Sequence, residues 1–329
     1  MDHKPFYTVR SIFGYQDVHF FLLLGGRETG KSYSVMDRFI RDFKTKGIPF
    51  YWLRLTDRLA ETMLQNNAAK FVDADLARKY NLDLTVEGCE VFDHGKKMAE
   101  IRGISTFYNQ KGTASFDNEW KKGYNICLDE CQREVGEPNR FDISYALVNT
   151  LENYVRSTKK KLKIVFICNY TETCSDILNL FNFIPERFGR YHLAAKKAVL
   201  DYIAPNSAYL ERRKETVADI LMPDASTFTN KVELDKTLLY KGKRYSPTVV
   251  LNFGAKDEIY TIWDSNIIAP YKGEKKPTYG MKPYVMGCIY DAAFAKKIIN
   301  LFDNRGFRFI DLITQQRFTA SLSKIRKGK

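Results

Sequence analysis

Residues 20–32 join an apolar run to a glycine-rich loop, an order that predicts a strand, a phosphate-binding loop and a helix. The run Phe-Phe-Leu-Leu-Leu has no polar alternation, as expected of a strand buried on both faces of a parallel sheet. Residues 25–32 fit G-x-x-x-x-G-K-[ST], a pattern whose backbone N–H groups and following helix start bind phosphate oxygens. Lys31 is expected to reach the β- and γ-phosphates of a nucleotide, and the Ser32 hydroxyl to ligate Mg²⁺. The candidate nucleotide-binding residues of this stretch are Gly25, Gly26, Arg27, Glu28, Thr29, Gly30, Lys31, Ser32 and Tyr33.

A second apolar run, residues 124–128, ends in two adjacent carboxylates. At the tip of such a strand Asp129 can hold Mg²⁺ through water, while Glu130 can polarise an attacking water molecule. A simple phosphoryl-transfer kinase needs no second carboxylate, so the pair favours nucleotide hydrolysis. An apolar run ending in Asp-Glu is by itself most often an ordinary strand end, and the upstream phosphate loop is what makes the combination specific.

Two further polar residues follow apolar runs and are candidates for the same site. Arg54 lies at the end of the strand pattern of residues 50–55. There its side chain can contact phosphate or cap a neighbouring carboxylate, with phosphate slightly favoured. Asn169 follows the buried-strand pattern of residues 162–168, and a polar side chain there would lie beside the γ-phosphate. It is therefore a candidate sensor of the nucleotide state, and the alternative is an asparagine that begins a turn.

Composition narrows the partners and the compartment. The 329 residues carry a formal charge of +13, which favours an acidic partner such as nucleic acid, although clusters such as residues 159–161 and 272–276 also suit a merely soluble basic surface. The chain begins without a signal-peptide pattern and has no membrane-length apolar run, so we expect a cytoplasmic protein without a membrane partner. The six cysteines form no C-x-x-C pair and the four histidines show no ligand spacing. Reduced thiols and no structural zinc are expected.

The order of strand and helix patterns predicts two domains. They alternate to about residue 200, with a hairpin-like meander at residues 82–107, which predicts a doubly wound or RecA-like α/β fold. From residue 231 the chain is strand-rich, with strand patterns at residues 248–253, 258–263 and 284–289, and it ends in two helical patterns. This order predicts a smaller α+β domain. The predicted organisation is a P-loop ATPase domain at residues 1–203, a linker at 204–228 and a C-terminal domain at 229–329.

Several motifs outside the phosphate loop carry a family resemblance. Beside residues 30–33 and 128–130, they are residues 151–156, 181–185, 211–214 and 305–309. With these motifs the chain resembles, nearly end to end, the DNA-packaging motor ATPases (encapsidation proteins) of small short-tailed phages of the phi-twenty-nine group. The phosphate loop and the Asp-Glu pair occur in many ATPases, so the other motifs carry the resemblance.

The resemblance implies a fold, a reaction and a set of partners. It implies a RecA-like ATPase domain of the additional-strand, catalytic-glutamate type, followed by a smaller α+β domain similar to an RNase H-like terminase nuclease but without nuclease activity. It implies ATP-driven translocation of double-stranded DNA by a homo-oligomeric ring, pentameric in the family, on the portal (connector) vertex of an empty procapsid in the host cytoplasm. A packaging RNA is a further candidate partner.

The resemblance also implies an arginine that acts on the nucleotide site of a neighbouring subunit. Arg156 is the candidate, because it follows a predicted helix and precedes the Asn169 strand. The alternative is that Arg156 belongs, with residues 159–161, to an exposed basic turn that contacts DNA or only water. Two other functions remain open at this point: another P-loop translocase, helicase or terminase with an active nuclease, and a non-catalytic nucleotide switch or scaffold.

Overall fold

The chain folds into two compact units, each with its own sheet and its own core. The computed structural model describes residues 6–107, 125–132, 142–155, 163–169, 175–205, 207, 210–211, 214–221, 235–243, 246–255, 258–273 and 277–327. The first unit comprises residues 1–172 and 185–232, and the second comprises residues 173–184 and 233–329. The second unit thus takes in residues 173–184, which the sequence patterns alone assigned to the first domain.

A nine-stranded sheet forms the centre of the first unit, with strand order β3-β4-β5-β2-β6-β7-β1-β9-β8. The strands are β1 (Phe20–Leu24), β2 (Phe50–Arg54), β3 (Leu84–Glu87), β4 (Glu90–Asp93), β5 (Lys96–Gly103), β6 (Asn125–Asp129), β7 (Lys163–Cys168), β8 (Gly189–Leu193) and β9 (Ala198–Tyr202). The six strands from β5 to β9 in this order run parallel, and antiparallel strands close both edges. The sheet confirms the predicted RecA-like α/β fold and identifies the meander of residues 82–107 as one sheet edge.

Helices connect the strands of the first unit. They are α1 (Lys31–Lys46), α2 (Asp57–Ala68), α3 (Ala74–Lys79), α4 (Ile104–Phe107), α5 (Ile143–Val155) and α7 (Val217–Leu221), with single 3₁₀ turns at Val9–Ser11 and Ala194–Lys196. Helix α1 ends where Gly47 adopts a left-handed conformation (φ 64°) and its N–H binds the last-turn carbonyls, which is the usual role of a terminal glycine. Helix α2 is interrupted at residues 65–67, where the backbone leaves helical geometry.

Both faces of the central strands are buried, as the apolar runs indicated. All residues of β2 and β6 are buried, and so are residues 21–24 of β1. On one face the rings of Phe39, Phe50 and Trp52 pack together, with Phe39 to Phe50 at 5.5 Å between centroids. The registers Leu24↔Cys168 and Asp129↔Ile167 place the carboxyl ends of β1, β6 and β7 side by side.

The second unit has a six-stranded mixed sheet with the order β14-β13-β10-β11-β12-β15. Its elements are α6 (Asp176–Phe181), β10 (Pro247–Asn252), β11 (Ile259–Trp263), β12 (Ile267–Pro270), β13 (Thr278–Gly280), β14 (Ile289–Tyr290), α8 (Ala292–Asp303), β15 (Arg308–Phe309) and α9 (Leu312–Lys327). The buried Phe318 ring of α9 packs edge-on against Phe253 and Tyr260 of the sheet region. This arrangement confirms the predicted α+β class, whereas the likeness to an RNase H-like nuclease stays a prediction.

Two expectations from the sequence are wrong. Residues 284–289 do not form a strand: they turn at Gly287 (φ 71°), and only Ile289 belongs to β14. Cys131 and Cys168 are joined in a disulfide rather than reduced, because the pairing of β6 with β7 brings their Cα atoms to 5.3 Å although they are 37 residues apart. Cys89, Cys127 and Cys288 are free. Among the described residues, none of the helices is both long and apolar enough for a membrane span.

Candidate functional site

The phosphate loop lies between β1 and α1, as predicted. Gly30 is the residue that caps α1, and it has a left-handed backbone (φ 85°). A Cβ at this position would lie 2.7 Å from Cβ of Phe6, so both the backbone conformation and the lack of space require glycine. Such a glycine turn before a helix start is the backbone geometry that anion-binding loops use.

Lys31 is buried and donates hydrogen bonds to the loop itself. Its Nζ lies 2.9 Å from the carbonyl oxygen of Gly25, 2.6 Å from that of Gly26 and 3.2 Å from Oγ1 of Thr29. Burial lowers the pKa of Lys31 to about 8, and the carboxylate of Asp129 opposes this shift. The ammonium is thus held in a poorly hydrated place where a nucleotide phosphate would stabilise its charge.

Ser32 and Asp129 meet across the site and offer oxygen ligands. The Ser32 hydroxyl donates to Oδ1 of Asp129 at 3.2 Å. Burial raises the pKa of Asp129, while Arg54 and then the Ser32 hydrogen bond oppose the rise. A hydroxyl and a carboxylate are ligands that Mg²⁺ accepts, with water and phosphate oxygens completing its shell. The residues therefore fit the magnesium ion that the sequence predicted at Ser32 and Asp129.

Arg54 connects the two carboxylates at the end of β6. Its guanidinium lies 3.3 Å from Oδ2 of Asp129 through Nη1 and forms a close ion pair with Glu130 through Nη2. The Arg54 side chain is 10 % exposed, whereas that of Glu130 is 54 % exposed. Of the two partners considered from the sequence, phosphate and carboxylate, the structure shows carboxylates. Arg54 therefore stabilises the ionised form of Asp129 and positions the carboxylate of Glu130.

Most of the predicted nucleotide-binding residues line one cleft, and Gly25, Gly26 and Arg54 are not part of its walls. Its walls are Arg27, Glu28, Thr29, Gly30, Lys31, Ser32, Tyr33, Asp129, Glu130, Ile167 and Asn169. Asn169 reaches the cleft because the N–H of Gly25 donates to the carbonyl of Cys168 at 3.1 Å, which fastens the end of β7 to the start of the loop. Tyr33 is 42 % exposed at the rim. Arg156 lies outside the described residues, as do residues 159–161.

The segment before β1 also holds the loop, and sequence patterns did not indicate this. The N–H of Tyr7 donates to the carbonyl of Thr29 at 3.1 Å, and the N–H of Val9 to Oγ of Ser34 at 2.9 Å. The Tyr7 hydroxyl donates to Asp201 of β9 at 2.7 Å. Burial, and then Asp201, raise the pKa of Tyr7 well above its ordinary value, so this hydroxyl keeps its proton. Residues 6–9 therefore tie the loop to the sheet.

Comparison with known structures identifies proteins of the same fold. The solved structure entitled "The Phi-28 gp11 DNA packaging Motor" is similar with a TM-score of 0.69 at 13 % identity, covering 96 % of this chain and 97 % of that one. "The bacteriophage Phi-29 viral genome packaging motor assembly" gives 0.64 at 19 % identity, covering 98 % and 99 %. At these identities the likeness shows the fold. No match was found among curated protein sequences.

A likeness of fold does not identify a family, but a match to a family model does. Residues 1–246 match the model described as Podovirus DNA encapsidation protein (Gp16). The match spans the first unit with its phosphate loop and both carboxylates, and it extends into the second unit. It confirms the resemblance and the DNA-packaging function predicted from the sequence. The chain belongs to the podovirus DNA encapsidation protein (Gp16) family.

Proposed function

We propose that this chain is the ATP-hydrolysing subunit of the packaging motor and that hydrolysis drives double-stranded DNA into a preformed procapsid. The observation that carries the proposal is that three elements lie together at the carboxyl edge of one sheet. They are Lys31, the hydrogen-bonded pair of Ser32 and Asp129, and Glu130. These residues supply a phosphate cation, a metal-ligand pair and a water-polarising carboxylate. A non-catalytic switch would need only the first two.

Nucleotide binding begins with an exchange of partners at Lys31. The ammonium now donates to the carbonyls of Gly25 and Gly26, and phosphate oxygens at the loop would replace them. The anion offers charge as well as lone pairs, so it stabilises the buried ammonium better than neutral carbonyls do. Ser32 and Asp129 would hold Mg²⁺, which when bound neutralises charge on the β- and γ-phosphates.

Hydrolysis requires that Glu130 accept a hydrogen bond from the attacking water. Its carboxylate is exposed enough for water to reach it, and its ion pair with Arg54 fixes its direction. Glu130 has a left-handed backbone (φ 52°) immediately after the last residue of β6. Turning this carboxylate from Arg54 toward the γ-phosphate is therefore the step that prepares the site for hydrolysis.

Four carboxylates among the described residues of the second unit favour a motor over a terminase with an active nuclease. Asp291 accepts bonds from backbone N–H groups at the start of α8, and Asp311 does so at the start of α9. Asp303 and Glu258 each form an ion pair with a basic side chain of α9. These four carboxylates cap helices and neutralise cations, so they are not grouped as the ligands of a two-metal nuclease would be.

The proposal includes the partners implied by the family. The subunit would act as a homo-oligomeric ring, a pentamer in the family, at the portal vertex of the procapsid in the host cytoplasm. Arg156 would enter the neighbouring nucleotide site, and Asn169 would sense the γ-phosphate. A packaging RNA would be an additional component of the assembled motor.

The test is the ATPase rate of the full chain with and without duplex DNA and procapsids. We expect turnover that DNA and procapsids increase, and a loss of about 10²-fold or more in Glu130→Gln, because a general base contributes on that scale. Glu152→Gln, an exposed carboxylate on α5, is the matched control and should retain the wild-type rate. Tight ATP binding without turnover in the wild type would instead indicate a nucleotide switch.

A further inference from the structure

A group of basic side chains lies at the amino edge of the sheet in the first unit, opposite the edge that carries the nucleotide cleft. Asn125 and Lys163 are the first residues of β6 and β7 and pair with each other. Helix α1 starts at the phosphate loop, and its last turns bring Arg38, Arg41 and Lys46 to this edge, as their interactions with Lys163 or with Asp42 beside it show. From Asn125 to Asp129 the distance along β6 is about 13 Å, at roughly 3.3 Å per residue.

One buried carboxylate lies within this group. Asp42 accepts from Nε of Arg38 at 3.0 Å and from Nζ of Lys46 at 3.0 Å, and Nζ of Lys163 is 4.0 Å away. The amide of Asn125 donates to it at 3.3 Å. Burial alone would raise the pKa of Asp42, but the bonds from Lys46 and Arg38 outweigh burial and lower it. Asp42 therefore stays ionised and organises the cations around it.

An aromatic ring fixes two of the cations. The guanidinium of Arg38 lies 5.3 Å from the centroid of the Phe13 ring, and Nζ of Lys163 lies 5.1 Å from the same centroid. Phe13 is itself 8 % exposed. Its ring can support the two cations but has too little free surface to stack on a nucleic-acid base.

Among the described residues of this group, positive charges outnumber negative ones. Arg38, Arg41, Lys46 and Lys163 bring four positive charges, and Asp42 brings one negative charge. The nearby Lys44 is paired with Asp93 of β4 at 2.5 Å and does not alter this sum. Burial lowers the pKa of Lys163, and the cations Arg38, Lys46 and Arg41 lower it further, while Asp42 opposes them. The unbalanced charge makes this edge a site for an anion with several negative groups.

We propose that Arg38, Arg41, Lys46 and Lys163 bind the phosphate backbone of the duplex DNA that the motor moves. The inference rests on the proposed function and names a DNA-contacting site for it. The side chains present point charges and a guanidinium fork without an exposed base-stacking ring, which suits phosphates of any sequence. The site is separate from the nucleotide cleft, so both can be filled at once.

The experiment measures binding of the full chain to a 5′-labelled DNA duplex of about 30 base pairs by fluorescence anisotropy across salt concentrations. The test variant is Arg41→Gln/Lys46→Gln/Lys163→Gln, which retains Arg38 as the partner of Asp42. The matched control is Arg10→Gln/Arg58→Gln/Arg187→Gln, with the same loss of charge at exposed arginines. Arg58 follows the carboxyl end of β2, and Arg187 precedes β8, whose first residue pairs with the last residue of β9, so both lie away from the amino edge. We expect the test variant to bind at least about tenfold more weakly at 0.1 M salt and its salt slope to fall by about 2–3, since each phosphate contact contributes about 0.9.

A second variant reverses the sign of the effect. Asp42→Asn removes the one negative charge and should strengthen DNA binding, whereas a purely structural role for Asp42 would leave binding unchanged or weaken it. Lys46→Gln alone, whose side chain is 52 % exposed, keeps the test valid if the triple variant does not fold. It should lower the salt slope by about 1.

The outcomes separate this inference from the proposed function. Wild-type binding to duplex DNA with no loss in the triple variant, or an equal loss in the arginine control, would overturn the inference alone. A loss confined to a duplex RNA of the same sequence would assign the site to RNA and would also overturn it. A wild-type protein that does not bind duplex DNA would overturn the proposed function and this site together.

Discussion

Replacing Arg54 by methionine tests the arrangement of the two carboxylates most directly. Methionine fills a similar volume but leaves Asp129 without the guanidinium that lies 3.3 Å away. Asp129 is 8 % exposed and Arg54 is 10 % exposed, so this pair is largely removed from water. Glu130 is 54 % exposed, and water can replace the cation there. The loss of stability should therefore come from Asp129 and not from Glu130.

The size of the effect follows from burial. Removing one partner of a buried ion pair costs about 3–5 kcal/mol, and the partial exposure of this pair places it at the lower end, about 3 kcal/mol. In a unit of about 200 residues each 1 kcal/mol lowers the melting temperature by roughly 2–4 °C, so a loss of about 6–12 °C is expected.

The loss of stability in Arg54→Met should also depend on pH, in a direction that follows from the pKa of Asp129. Burial raises the pKa of Asp129, and Arg54 is the strongest opposing influence, so its removal raises the pKa further. A carboxyl whose pKa is higher in the folded protein than in the unfolded chain binds more protons when folded, and stability then falls as pH rises through that interval. The difference between variant and wild type should be small near pH 4 and reach its full size by neutral pH.

The assay is thermal unfolding without nucleotide and with EDTA, from pH 4 to 8. Arg54→Lys is the charge-matched control and should lose less, because its ammonium can pair with Asp129 although it cannot bridge both carboxylates. The double variant Arg54→Met/Asp129→Asn should regain most of the loss, since no buried charge is left unpaired. A melting temperature of Arg54→Met within about 1 °C of wild type, or no recovery in the double variant, would refute the reasoning.

Three further changes test other parts of the chain. Lys31→Ala should abolish ATP binding and hydrolysis by removing the cation held at the phosphates, and unchanged affinity and turnover would contradict the role of this residue. An arginine that acts in trans contributes about 10³–10⁵ to the rate, so Arg156→Ala should lose activity on that scale. If Arg156 acts in this way, mixing Arg156→Ala with Glu130→Gln subunits should restore some hydrolysis, and co-assembled rings that stay inactive would count against it. Gly103→Ala should cost about 1–3 kcal/mol in urea unfolding, because its Cβ would lie 2.2 Å from the backbone nitrogen of Asp57, and undiminished stability would show that β5 and α2 separate easily.

The sequence predicted those parts of the site that local patterns determine. The phosphate loop needs a glycine turn before a helix, and Asp129 needs only an apolar strand before it, so a few adjacent residues sufficed. The partner of Arg54 could not be deduced, because it depends on β2 lying next to β6 in the sheet. The disulfide between Cys131 and Cys168 likewise depends on the β6–β7 pairing.

The basic group around Asp42 illustrates the same limit. Its cations come from α1 and β7, which are more than a hundred residues apart, and each residue looks ordinary in its own segment. Only the parallel sheet, which places the amino ends of β6 and β7 beside the last turns of α1, brings their charges together. The pattern within one segment predicts its secondary structure and which residues lie at a sheet edge. Contacts between distant segments can be predicted only when the order and register of the strands are known.

The bonds from Tyr7 to Thr29 and from Val9 to Ser34 bear on how the protein is prepared for experiments. A bulky label attached within residues 6–9 would lie close to the loop, because the Phe6 side chain covers Gly30. A displacement of that segment would be transmitted through these bonds to the phosphate loop, although no residue of the loop itself is changed. Labels for nucleotide or single-molecule work are better attached at exposed positions outside residues 6–9 and the phosphate loop.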